Sequence, residues 1–124
     1  MDIKKRLHLL QKSDIPIEMV HEALHDSYYI VQANALLGLG KRLQHFPEFR
    51  TNTWLDELEI IINSTNAKTE IFGDVINLYT LCLYCVNEIK TEKSRAYFSK
   101  HFAKLRPKEQ RNLNRLIEAM RQDD

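Results

Sequence analysis

Glycine and proline are scarce, with three of each among 124 residues. An all-β fold needs many obligatory turns of the kind these residues supply, so the chain lacks the punctuation for one. Only two cysteines occur. As a single C-x-x-C pair they make no disulfide framework, and a reduced, cytoplasmic setting is expected. No run reaches the roughly 18 apolar residues of a membrane span, because Asn77 and Thr80 interrupt the best candidate. The opening MDIKKRLHLLQKSD has early lysines but neither an apolar core nor a small-residue cleavage site, so no secretory signal is expected. A G-x-S-x-G elbow, a P-loop and a dinucleotide fingerprint are all missing, which leaves nucleophilic and nucleotide chemistry without support.

An excess of charge of one sign is lacking too, since the net is only +1. The charges are nevertheless sorted along the chain. Residues 13–89 hold 11 acidic groups against 4 basic ones, and residues 90–121 hold 10 basic groups against 3 acidic ones. Such polarity points to charged partners. The hydrophobic fraction of 44% and charged fraction of 28% suit an ordinary globular protein, read as one domain over 1–124.

What is present in quantity is helical periodicity. Asp26–Leu43 is the segment around which the rest is organised. Ile30, Val31, Ala33, Ala35, Leu36, Leu37 and Leu39 are interrupted only by Gln32 and Asn34, so the helix is apolar over most of its circumference and should be covered on two sides. Asp26 and Ser27 are its expected caps. Gly38 and Gly40 either admit a close neighbour or end the helix. Ile3–Gln11 and Pro16–His25 read as helices before it. Trp54–Asn63 follows, capped by Asn52 or Thr53, with Leu55, Leu58, Ile61 and Ile62 inward. Glu70–Lys90 reads as a second strongly apolar helix that Gly73-Asp74 could split, with Asp74 as a new cap. Thr91 caps a sixth helix to about Leu105. After Pro107 a last helix carries Leu113, Leu116, Ile117 and Met120 at i, i+3, i+4, i+7. No stretch alternates long enough to propose a strand. The expected fold is all-α, with about six to seven helices stacked as antiparallel pairs, in a HEAT-like right-handed array or a compact bundle.

Placing Asp26 over Asp74, a shift of 48 residues, sets Val31 on Tyr79, Ala33 on Leu81 and Ala35 on Leu83. The shift is close to the roughly 40–47 residues of HEAT and armadillo units. Asp26, Val31, Ala35, Leu39 and Gly40 resemble the D…V…A…L-G pattern of HEAT-type helices. That resemblance implies stacked helix pairs presenting a binding surface rather than an active site.

Two short motifs could carry chemistry. His21-Glu22-Ala23-Leu24-His25 is formally H-E-x-x-H, which on a helix sets two imidazoles on one face where they can bind zinc while the glutamate polarises water. In those residues it resembles the zinc metalloprotease signature, but no downstream Gly-x-x-His follows and Asp26 stands directly after the second histidine. Cys82-Leu83-Tyr84-Cys85 lies inside an apolar helix rather than at a helix N-terminus, so both thiols read as core. A zinc site of His21, His25, Cys82 and Cys85 would need two separate helices to meet at those turns. Ser27 and Ser94 read as helix-start residues. No cofactor, metal or catalytic residue is assigned.

Function is therefore expected on charged surfaces. Glu48, Asp56, Glu57, Glu59, Glu70 and Asp74 are the candidate partner-binding residues, offering an acidic edge to a basic protein such as a nuclease domain. Size, absence of a signal, absence of catalytic motifs and helical-repeat character resemble those of bacterial toxin-immunity proteins. The resemblance implies an antitoxin that binds and occludes a cognate toxin. One alternative is a nucleic-acid-binding regulator using Lys108, Arg111 and Arg115, with Lys100 and Lys104 nearby. The other is a small zinc hydrolase centred on His21, Glu22 and His25. No membrane partner is expected.

Overall fold

The central segment forms one unbroken helix. A computed structural model describes residues 2–64, 67–68, 70–72 and 76–122. In it Tyr29–His45 is helix α3, with α1 (Ile3–Leu10) and α2 (Ile17–Leu24) before it. Next come a 3₁₀ turn at Pro47–Phe49 and α4 (Asn52–Ile62). A strand pair, β1 (Glu70–Phe72) and β2 (Ile76–Asn77), leads to α5 (Leu78–Ile89), α6 (Glu92–Ala103) and α7 (Pro107–Gln122). The fold is all-α, as its periodicity requires. Among the described residues no helix is long and apolar enough to cross a membrane.

α3 is covered on two sides because it has almost no polar face. Val31, Ala33, Ala35, Leu36, Leu39 and Leu43 are each 1% exposed or less. α1 and α2 pack against α3 from the N-terminal half of the chain, and α5 packs against it from the C-terminal half. α5 is an equal organiser: it also carries α4, α6 and α7, and buries Leu78, Leu81, Cys82, Leu83, Tyr84, Cys85, Val86 and Ile89. Burial of this many large apolar side chains, each contributing about 1.5–3 kcal/mol, is what opposes the chain entropy of folding.

Gly38 and Gly40 are packing positions, since α3 runs on to His45. A Cβ at Gly38 would stand 1.7 Å from the carbonyl oxygen of Leu10, so α1 passes directly over it. Asp26 and Ser27 do not cap α3. The helix begins after Tyr28 without a side-chain cap, and Asp26 instead accepts from the Tyr28 N–H at 2.8 Å and pairs with Arg6 at 3.3 Å. The α4 cap also differs. Thr51 occupies it without a side-chain bond, and Asn52 accepts from the Thr91 hydroxyl at 2.6 Å, tying α4 to the start of α6.

The largest correction lies ahead of α5. The expected helix from Glu70 starts only at Leu78, where Asn77 caps it by accepting from the Thr80 N–H at 2.8 Å. The residues before it form the antiparallel pair β1–β2, with Glu70 opposite Asn77 and Phe72 opposite Ile76. A two- or three-residue strand is too short to show period-two alternation, so apolar content there mimics a helix. Asp74, the alternative cap, lies outside the described residues. The start of α6 is as expected: Thr91 and Ser94 form a reciprocal capping box, each side chain bonding the other's backbone N–H.

Candidate functional site

α2 buries Val20, Ala23 and Leu24 against α3, which leaves Glu18, His21, Glu22 and His25 exposed along its opposite face at helical spacing. α4 buries Leu55, Leu58, Ile61 and Ile62, and turns Trp54 and Glu57 toward α2. The two helices meet through these side chains and enclose an open groove of about 310 Å³ lined by Ile17, Glu18, His21, Thr53, Trp54 and Glu57. The edge of the His21 ring meets Trp54, with centroids 6.2 Å apart.

At one end of the groove Glu57 stands between the two histidines. Its Oε1 is 3.3 Å from Nε2 of His21 and its Oε2 is 2.7 Å from Nε2 of His25. The imidazole rings meet edge to face at 5.0 Å. The second contact is a close ion pair, and it holds Oε2 where the atom is buried. Burial alone would raise the Glu57 pKa. The hydrogen bonding and positive charge that His21 and His25 offer outweigh it, and the carboxyl is held below its ordinary range. His21, His25 and Glu57 are also the cluster, among the described residues, whose ligand atoms all lie within 4.8 Å of one another.

The H-E-x-x-H motif is thus half of a site whose other half the sequence gives no means to find. The third group comes from α4, 32 positions after His25. Glu22 is exposed and is not one of the three converging groups. Cys82 and Cys85 take no part in it. Both are fully buried, and the Cys85 thiol donates to the Leu36 carbonyl at 3.0 Å. Burial pushes both thiols far up, so they are core groups and not ligands beside the exposed histidines.

Of the six candidate acids, the four whose side chains are described point in different directions. Glu57 faces α2. Asp56 and Glu59 are exposed on the outer face of α4, and Glu59 is near enough to α6 to act on Tyr97 and His101. Glu48 is exposed on the 3₁₀ turn. Glu70 lies in β1, and Asp74 is outside the described residues. Lys108, Arg111 and Arg115 are exposed along α7, and Lys100 and Lys104 along the end of α6. A wider depression of about 750 Å³ is lined by His8, Gln11, Lys12, Ser13, Asp14, Lys41, His45 and Phe46. Its charges are mixed, and no set of metal-binding groups converges in it among the described residues.

No family model, curated protein or solved structure matches the chain. The likeness to HEAT-type helices therefore rests on its own residues. Val31, Ala35, Leu39 and Gly40 are buried within α3, and Asp26 precedes the helix.

Proposed function

We propose that this chain is a protein-binding module that takes a basic segment of its partner in the groove between α2 and α4. In its narrower form the reading is a bacterial immunity protein that occludes a cognate toxin or nuclease domain. The observation that carries it is the presence in one open groove of an indole, Trp54, with two carboxylates, Glu18 and Glu57. An arginine or lysine side chain fits that combination. Its methylenes lie on Ile17 and the Trp54 ring, and its cationic head reaches a carboxylate while the ring face adds cation–π attraction. Trp54 is only half-buried, leaving apolar area that a partner would cover. Glu22 on α2 and Asp56 and Glu59 on α4 are exposed and would add longer-range attraction for a basic partner.

Titration with a basic toxin or nuclease domain, sought first among the products of neighbouring genes, tests the reading. Trp54 is the single tryptophan, so its emission reports directly on the groove. A saturable emission change is expected, together with stoichiometric loss of toxin activity. By calorimetry, Trp54→Ala and Glu18→Lys should each weaken binding by about tenfold or more, as anchor residues do. Unchanged affinity in both variants would refute the groove. Full toxin activity at a stoichiometric excess would refute the immunity form.

A further inference from the structure

We infer that His21, His25 and Glu57 form a binding site for a divalent transition-metal ion of the zinc class. The argument starts from helix geometry. Residues four apart share a face, so the ring nitrogens of His21 and His25 are delivered side by side whatever else the chain does. α4 then sets a carboxylate opposite both, and it is the Nε2 atom of each ring that approaches Glu57. Two imidazole nitrogens and one carboxylate oxygen are a donor set that suits zinc and its neighbours in the first transition row. Calcium and magnesium prefer cages of oxygen.

The spacing fits with small adjustments. Zn–N and Zn–O bonds of about 2.0–2.2 Å put tetrahedral ligand atoms roughly 3.4 Å apart. His21 lies 3.3 Å from Oε1 and His25 lies 2.7 Å from Oε2, so the carboxylate must turn to offer one oxygen to the ion, and ligand atoms that already lie within 4.8 Å of one another must draw together. Both histidine side chains are about half exposed, at 52% and 45%, so rotamer adjustment disturbs no core packing. A carboxylate oxygen carries two lone pairs, so Oε2, met by His25 at 2.7 Å, keeps acceptor capacity for an ion. Exposure on the outer side leaves the remaining coordination position to water, the arrangement of a site with three protein ligands. The site is separate from the peptide-binding reading in one useful respect, because His25 does not line the groove.

Calorimetric titration of the full chain, reduced, with Zn²⁺ and then with Co²⁺ as a visible-absorbing probe tests the inference. The expected result is one metal ion per chain, with Co²⁺ bands in the range of four- or five-coordinate nitrogen and oxygen ligation. His25→Ala and Glu57→Gln should each lower affinity tenfold or more, and His8→Gln on α1 should leave it unchanged. Circular dichroism confirms that each variant is folded, and His25 is exposed enough that its truncation leaves the core intact. Absence of saturable binding overturns the inference, as does equal affinity in both site variants or equal loss in His8→Gln. Trp54→Ala should bind the metal like the parent chain, so a failed groove and a failed metal site give different results.

Discussion

Gly40 and Tyr84 fit together so closely that a Cβ on the glycine would stand 2.1 Å from Cε2 of the tyrosine ring. This pair sets how near α3 and α5 approach. Tyr84 is fully buried, and its hydroxyl donates to Oε1 of Gln44 one turn further along α3 at 3.2 Å. Tyr84 is buried and tied at its hydroxyl, so a methyl group at position 40 must displace the ring or separate the two organising helices.

Gly40→Ala should therefore destabilise the protein by about 1–3 kcal/mol, the usual cost of overpacking a core. At an open helical site the same change would stabilise by up to about 1 kcal/mol. Gly38→Ala should cost more, because the obstacle is the Leu10 backbone carbonyl rather than a side chain. Urea unfolding of both variants gives the measurement. A Gly40→Ala midpoint at or above the parent's would show that α3 and α5 are not locked there.

His101 should make stability fall in mild acid. Burial lowers its pKa, with Lys104 and Lys100 adding to the effect and Glu59 opposing it. The ring stacks on Tyr97 at 4.2 Å and its Nδ1 lies 2.8 Å from the Tyr79 hydroxyl. A histidine whose folded pKa is depressed binds fewer protons folded than unfolded. Its contribution is complete above the unfolded pKa of about 6.5 and is lost as pH falls through the folded value. The parent chain should lose more stability between pH 7.5 and pH 5 than His101→Phe, which keeps the ring stack without the titration. An NMR midpoint for His101 at or above 6.5 would contradict the assignment. Tyr97, pushed up to about 12 by the same burial, should stay protonated throughout this range.

Cys82 and Cys85 should be unreactive in the folded protein. Both thiols are enclosed and pushed up by burial, so the nucleophilic thiolate is not populated near neutral pH. An aromatic disulfide reagent should label neither in native buffer and both in denaturant. Rapid native labelling would show that α5 opens easily, or that the pair is less enclosed than its packing indicates.

Sequence by itself determined the helices whose faces repeat over three turns or more. α3, α4, α6 and α7 lie within a few residues of their expected ranges because an apolar stripe at helical spacing has one way to be buried. The same pattern misled before α5, where a two-residue strand leaves no period to read and the helix takes its cap from Asn77. Asp26 shows a similar limit: a side chain able to cap a helix can bond the Tyr28 N–H and an arginine from α1 instead. Of the candidate site, spacing alone placed His21 and His25 side by side. Only tertiary structure decided that Glu57 joins them, that Trp54 closes the groove, and that the cysteines stay in the core. These outcomes depend on how α2 seated on α3 and α4 seated on α5 approach each other, and no local pattern encodes that distance. Gly40 marks the same boundary. Its place within a helix was legible, and its reason for being glycine is a tyrosine that stands 44 residues later in the chain.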